Sequence, residues 1–525
     1  IMMVEAGAQS RSFDAAKMIE IQTAVLRSLA NEYVDSVKVG SLIETGIHSA
    51  LASLDPYTVF IPEEEEEDLN MLTTGTYGGV GSVIKKSPGG EVLVSEPYAD
   101  SPAVKAGLKP GDLILAIEGR DVKALKVDEC SSRMRGVPGT ELNMKVLKVR
   151  TGDTVDVVLV REKIHKSDVG YYGFVNDTTG YIRLDGFTMD GSESVREALL
   201  ELKSSGKMKR LFLDLRGNGG GLLSEAVNIL SFFLPKGTSV LTQRGRDSSS
   251  VIETRTEREP IDINLPLVVL VNSTSASSSE IVAGAIQDLD RGVIAGTKTY
   301  GKGLVQSIRD VGYGAALKLT TAKYYTPSGR CVQAIDYSHR NEDGSVGFVP
   351  DSLKKEFHTA KGRVVYDGGG ITPDVVLDVK YMSRPLVALV YSDIVNDFAI
   401  EYCVAHDSVA SPADFRLSDE EYEEFVSYAS GKEFDARTES QVKMEDVLKT
   451  AVREGMTEGD RELESQIKSL LERVTLDKES FLRSNKEVIV RILEDEIMGK
   501  YFFDAGAIQS SLRHDEQLKE ALEKI

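Results

Sequence analysis

Two apolar segments that each end in an unusual loop constrain this chain most. Arg210-Leu-Phe-Leu-Asp-Leu215 runs into Gly217-Asn-Gly-Gly-Gly221, and Pro266-Leu-Val-Val-Leu-Val-Asn272 runs into the Ser/Thr-rich stretch 273–279. Apolar runs this short, bounded by turn residues, read as strands buried on both faces. Helical patterns follow each loop, at about 222–233 and over Glu280–Leu289. A third strand, Gly180–Phe187, precedes a helix with Val195, Ala198, Leu199 and Leu202 on one face. This strand-loop-helix rhythm over 164–384 predicts an α/β core.

The flanks read differently. Ile21, Val25, Leu29 and Tyr33 recur at a four-residue step, predicting a helix over 10–34, and a second helix is expected over 39–53. A turn at Asp55-Pro56-Tyr57 precedes the acidic run Glu63–Glu67, read as a solvated helix start. Short alternating strands at 91–95, 112–118, 141–149 and 154–161, separated by Gly/Pro turns, predict a small β-rich domain over 75–163. Residues 336–370 are polar and read as an irregular surface insertion. Beyond 386 the pattern turns helical, near 386–404, 441–455, 461–474 and 478–500.

Charge separates the last stretch from the rest. Leu386–Ile525 holds 17 Lys+Arg against 32 Asp+Glu, a net −15 of the chain's −21. That asymmetry marks a distinct C-terminal unit, read first as a solvated helical surface. So acidic a chain does not favour nucleic acid or anionic lipid as a bulk electrostatic partner. No apolar run approaches the ~18 residues that would span a bilayer. Cys130, Cys331 and Cys403 form no Cys-x-x-Cys pair, and the six histidines lack metal-ligand spacing, so no metal or other cofactor is expected.

Chemistry concentrates in three places. The serines of Asn272-Ser-Thr-Ser-Ala-Ser-Ser-Ser-Glu280 can be helix caps. A hydroxyl at a strand-to-helix turn is also where an acyl-transfer nucleophile gains from the helix N-terminus. A histidine base is poorly supported, because none lies between His165 and His339. Lysine is the alternative base, provided that burial lowers its pKa. Lys302, in Tyr300-Gly-Lys-Gly303, is either a surface turn or that lysine; the phosphate-loop order Gly-x-x-x-x-Gly-Lys-Ser/Thr is absent. The glycine-rich Asp214–Gly221 loop can bind phosphate or form an oxyanion hole.

Together these segments resemble the carboxyl-terminal processing (tail-specific) proteases. Seven motifs appear in family order over roughly 15–380. They are Asp55-Pro-Tyr-Thr-Val-Phe60, Ser101-Pro-Ala-Val-Lys-Ala-Gly-Leu-Lys-Pro-Gly-Asp112 as a PDZ hallmark, and Asp214–Gly221. Ser275-Ala-Ser-Ser-Ser-Glu280, Gly301-Lys-Gly-Leu-Val-Gln306, Leu319–Arg330 and Gly370-Ile-Thr-Pro-Asp374 complete the set.

The resemblance implies a Clp protease/crotonase-like α/β core with an embedded PDZ domain and helical N- and C-terminal regions. The expected division is 1–72 helical, 73–163 PDZ, 164–385 peptidase core with the insertion at 336–370, and 386–525 an acidic helical domain. It implies Ser277 as nucleophile, three residues before Glu280 and 25 before Lys302, with Lys302 as general base and Gln306 orienting it. Backbone N–H groups of Gly220 and Ser278 would hold the oxyanion. Arg216 and Asn218 would shape the loop. Gly79-Val80-Gly81-Ser82 would bind a substrate's terminal carboxylate, recruiting protein or peptide substrates with apolar C-termini. A regulatory partner, a homodimer and a bacterial periplasm or cell-envelope location are further implications. The rival readings are a PDZ-containing peptide-binding scaffold with a silent dyad, and a crotonase-like acyl-transfer enzyme. Cys130, in the PDZ helix region, reads as a buried small residue.

Overall fold

The computed structural model of the chain describes residues 2–65, 71, 73–87, 89–247, 250–457 and 461–525. Its centre is a six-stranded sheet in the order Val169–Phe174, Thr179–Leu184, Arg210–Asp214, Leu267–Val271, Val293–Gly296, Val375–Val376. The first pair is antiparallel and the rest are parallel. Parallel strands covered on both faces explain the unbroken apolar runs. Alternate residues go to opposite sides. Leu211, Leu213, Val269 and Val271 meet the helices Gly191–Ser204, Leu223–Phe233 and Ser278–Asp288 on one face. Phe212, Val268 and Leu270 on the other face are closed by Leu518 and Ala521 of the last helix, Glu516–Lys524. The final helix of the acidic C-terminal stretch is therefore part of the core's own packing.

A second sheet carries the lysine segment. Leu304–Gly312 and Ala315–Tyr325 form a long hairpin. Its turn is Tyr313-Gly314, both at positive φ, as two-residue hairpin turns require. Ser239–Gly245 and Val59–Ile61 also pair with Ala315–Tyr325. The N-terminal strand thereby carries Asp55-Pro56-Tyr57 to the start of the hairpin, where Lys302 lies.

Residues 82–160 form a separate small sheet in the order Ser82–Lys86, Val92–Pro97, Leu113–Ile117, Glu141–Lys148, Asp153–Val160. Its core of Val80, Val94, Ile117, Leu142 and Val146 includes Cys130, buried on the helix Val127–Met134 as expected. The chain enters and leaves this unit through one antiparallel ribbon, Thr76–Gly79 with Glu162–His165. The C-terminal helices hold it from outside: Lys85 pairs with Asp397 at 2.7 Å, and Lys166 with Asp504 at 3.0 Å. Part of the negative charge near 393–504 thus meets basic groups of the chain itself, where the first reading of the sequence was a solvated surface.

Local patterns fail in identifiable places. The helix expected over 386–404 is two, Arg384–Tyr391 and Ile394–Ala405, because Asp393 adopts a left-handed conformation. The one expected over 478–500 breaks at Asn485 and continues to Ser511, with non-helical angles at Phe502 and Phe503. The structure adds a helix at Asp419–Ser430, outside the expected helical stretches, started by the capping box of Ser418 and Glu421. The expected irregular insertion instead contains two hairpins, Ile335–Arg340 with Val346–Phe348 and Glu356–His358 with Val364–Tyr366. Their strands are mostly exposed, so they lack the apolar alternation that marks a strand. Glu63–Glu65 form a 3₁₀ turn; Glu66 and Glu67 of the acidic run lie outside the described residues.

Candidate active site

The serine and lysine segments meet on one carboxylate. Glu280, in the first turn of the helix Ser278–Asp288, is fully buried. Its Oε2 accepts the backbone N–H of Ser277 (2.9 Å) and of Lys302 (2.8 Å). Its Oε1 accepts the N–H of Gly301 (2.8 Å) and the Thr299 hydroxyl (2.7 Å). Burial raises the Glu280 pKa while these four donors oppose the shift. Tyr324 joins the same two segments from the carbonyl side. Its hydroxyl lies 2.8 Å from the Lys302 carbonyl oxygen and 3.2 Å from that of Ser277.

Ser277 is a backbone outlier, at φ 56° and ψ −113°. A non-glycine residue holds such a conformation only when its surroundings over-determine it. The neighbouring serines are anchors. The hydroxyls of Ser275, Ser278 and Ser279 donate to the carbonyls of Leu215, Gly221 and Asn218. All three acceptors belong to the glycine-rich loop and its lead-in, so the serine run clamps that loop against the turn. Ser277 is tied to none of these carbonyls.

Lys302 is mostly buried, and desolvation lowers its pKa to about 8, with Lys318 adding to the shift and Glu280 and Asp55 opposing it. Its ammonium lies 4.3 Å from the centroid of the Tyr57 ring, a cation–π contact. No hydrogen bond joins it to Ser277 among the described residues. Gln306 donates to the Thr320 hydroxyl at 3.2 Å, and Thr320 in turn contacts Thr58. It lies on the lysine hairpin but is turned toward threonines rather than bonded to the amine.

Gly220, at φ +100°, abuts Ser277. A Cβ there would lie 2.8 Å from the Ala276 carbonyl and from the Ser277 Cβ. Its N–H donates to the Asn218 side-chain oxygen at 2.8 Å. The Ser278 N–H, at the first position of its helix, has no acceptor among the described residues. One of the two amides expected at the oxyanion hole is thus free and the other internally bonded.

Beside Gly220 and Gly221 opens a cavity of about 570 Å³, walled by Phe187, Thr188, Met71 and the ribbon ends at Gly75 and Lys166. It lies between the glycine loop and the tether of the small domain. That domain has its own groove of about 200 Å³ between the strand Ser82–Lys86 and the helix Val127–Met134, lined by Val80, Gly81, Ser82, Ile84 and Met134. Gly79 ends the preceding strand. The Val80 and Gly81 carbonyls accept from Ala103 and Tyr98, and their N–H groups have no acceptor among the described residues. Reasoning from sequence used Glu280 only as a spacing marker and assigned nothing to Tyr324, Thr299 or the Tyr57 ring. The spacing Ser277-x-x-Glu280 at a helix start is the sequence signal that points to this carboxylate.

The fold brings together a serine at a strained strand-to-helix turn, a buried lysine of lowered pKa on the same carboxylate, and a glycine loop against the serine. Comparisons with known proteins give the class of the chain, a serine-type peptidase. Peptidase family S41 matches over 178–339, a PDZ domain over 93–148, and the C-terminal helical domain of probable PDZ-proteases over 386–525. A carboxy-terminal-processing protease of Bartonella bacilliformis is 37% identical over 314 residues, 59% of this chain and 71% of that protein. A carboxyl-terminal-processing protease of Synechocystis is 39% identical over 317 residues, with the same coverage. Among solved structures, a photosystem II D1 C-terminal processing protease is 28% identical, covers 67% of this chain and 86% of that one, and has a TM-score of 0.35. The chain belongs to peptidase family S41, the carboxyl-terminal processing proteases. Its small inserted sheet is a PDZ domain, embedded in a mixed α/β protein with helices at both ends. Among the described residues no helix is long and apolar enough to cross a membrane.

Proposed function

We propose that the chain is an endopeptidase that cuts protein substrates recruited by their C-terminal tails, with Ser277 as nucleophile and Lys302 as base. The observation that carries this is the shared Glu280 carboxylate, which fixes the backbones of a strained serine and a buried, easily deprotonated lysine together. In the proposed cycle neutral Lys302 leaves the Tyr57 ring and accepts the Ser277 proton as the serine attacks the scissile carbonyl. The Ser278 N–H and the Gly220 N–H, the latter released from Asn218, stabilise the oxyanion; one such donor is worth about 3 kcal/mol. The lysinium protonates the leaving amine, and water then hydrolyses the acyl-enzyme. Gln306 orients the amine once it has swung inward.

Substrate tails add as a strand beside Ser82–Lys86, the free N–H groups of Val80 and Gly81 take the carboxylate, and the apolar groove takes the last side chain. The amine on Tyr57 and the bonded Gly220 amide describe a resting site, which suits activation by a bound tail or a regulatory partner. The apolar side chains exposed on the N-terminal helices, among them Phe13, Met18 and Ile19, suit a homodimer, and a bacterial periplasm suits the family. The test is cleavage of an unfolded protein with an apolar C-terminus by wild type, Ser277→Ala and Lys302→Ala. Folded but inactive variants beside an active wild type support the dyad. Variants that cut as fast as wild type refute it.

A further inference from the structure

The glycine loop is held from below as well as from the serine side. Arg216, four residues before Gly220, places its guanidinium between two carboxylates, the buried Asp214 and the half-buried Asp515. Its Nε lies 3.0 Å from both Asp214 oxygens, and its Nη2 lies 2.6 Å from Asp214 Oδ2. Asp214 is itself buried and accepts the Tyr181 hydroxyl at 2.7 Å. The other side of the fork is filled from 299 residues away. Arg216 Nη1 lies 3.1 Å from Asp515 Oδ1, its Nη2 lies 2.5 Å from Asp515 Oδ2, and Nη1 is also 3.2 Å from Gln517 Oε1. A planar guanidinium between two carboxylates has little freedom to turn, because each bidentate pair fixes a plane and a direction.

Asp515 is held just as firmly. It caps the helix Glu516–Lys524 through the Leu518 N–H at 2.9 Å, and that helix is pinned to the central sheet by Leu518 and Ala521. A continuous path therefore runs from the last helix through Asp515 and Arg216 to Gly217–Gly221. Asn218 continues it, with its side chain on the Leu184 carbonyl and on the Gly220 N–H and its own carbonyl accepting from Ala276.

We infer that Asp515 is a positioning residue for the peptidase reaction: through Arg216 it sets the loop that presents the Gly220 amide to the oxyanion. The C-terminal helical domain then completes the catalytic core, and its last helix is as necessary for turnover as the loop it holds. This rests on the dyad reading for its kinetic consequence, but the geometric consequence can be read without turnover.

The experiment uses the full chain with Asp515→Ala, Asp515→Asn and Leu522→Ala. Leu522 packs on the same apolar cluster without touching Arg216, so it controls for loosening of the helix. On a peptide substrate Asp515→Ala is expected to lower kcat about 30- to 100-fold with KM within about threefold, since an oxyanion contact exists only in the transition state. Asp515→Asn, which keeps the shape but not the charge, is expected to fall between it and wild type, and Leu522→Ala to keep kcat within about threefold. In a Ser277→Ala background, hydrogen exchange over 215–221 is expected to be at least tenfold faster with Asp515→Ala. Unchanged exchange in that loop, or equal kcat losses for Asp515→Ala and Leu522→Ala, would overturn the inference. An inactive wild type would count against the dyad reading alone, because the exchange measurement still decides the role of Asp515.

Discussion

Replacing Glu280 by glutamine tests the central joint of the site most directly. A carboxylate offers four acceptor positions, and the structure fills all four, two on each oxygen. Glutamine keeps one oxygen and puts an NH₂ in place of the other. With the NH₂ in the Oε2 place, two backbone N–H groups lose their acceptor; in the Oε1 place only the Gly301 N–H does, because the Thr299 hydroxyl can turn and accept. Hydrogen bonds to a charged group contribute about 1.5–3 kcal/mol each, so the expected loss is about 1.5–6 kcal/mol, the lower half for the second orientation. Against a typical total of about 5–15 kcal/mol this is large but survivable. If Oε2 is the oxygen lost, Ser277 and Lys302 come apart directly. If Oε1 is lost, Gly301 moves and carries Lys302 with it. Chemical denaturation of Glu280→Gln beside wild type gives the stability change, and titration of Ser277 with an active-site-directed acylating reagent gives the reactivity. The expected result is a folded protein, less stable by that amount, whose acylation rate falls at least 100-fold. A variant within about 1 kcal/mol of wild type that acylates normally would refute the idea that this carboxylate holds the dyad together.

With Lys302 as the proposed base, its pKa sets the expected pH profile. With its pKa near 8 rather than 10.5, about a tenth of the amine is neutral at pH 7, some 300-fold more than an ordinary lysine would supply. kcat/KM is expected to rise about tenfold per unit below pH 8 and to level off above 9; a flat profile from 6 to 9 would exclude Lys302 as the base. The same shift affects stability: the folded state binds fewer protons than the unfolded chain between pH 8 and 10.5, so burial of Lys302 is least costly above that window. Gly220→Ala puts a Cβ 2.8 Å from the Ala276 carbonyl at a φ that only glycine adopts easily, and kcat is expected to fall at least 100-fold while tail binding to the PDZ groove, measured by fluorescence anisotropy, stays unchanged. Changing the last residue of a tailed substrate from an apolar side chain to aspartate is expected to raise KM at least tenfold, with no effect on cleavage of a short peptide that lacks the tail. Equal KM values for the two tails would remove the PDZ groove from substrate selection.

Much of the fold is written in local pattern. The strands at 211–213 and 267–271 are unmistakable because both faces are buried and every residue is apolar. The PDZ strands show in their alternation, and Ser418-x-x-Glu421 marks the start of the helix Asp419–Ser430. The two hairpins between 335 and 366 could not be read, since strands in water carry no apolar alternation. The break at Phe503 was equally hidden, because an aromatic residue gives no sign of a left-handed conformation; Asp393 is of a type that adopts it more readily, but most aspartates do not.

The sequence by itself singled out the residues proposed to carry chemistry: a serine and a glycine loop each following a buried strand, and a lysine between glycines. Those are local facts, set by residue type and spacing. Tertiary structure alone decided how they act together. Glu280 bridges 277 and 302 because a helix start and a hairpin start meet. Tyr57 reaches Lys302 because its strand joins the lysine sheet at Ala316–Lys318. Asp515 reaches Arg216 because the last helix covers the face of the sheet that Phe212 and Leu270 leave apolar. The reason is the same in each case: a hydrogen bond acts over about 3 Å in space and carries no mark of the distance along the chain.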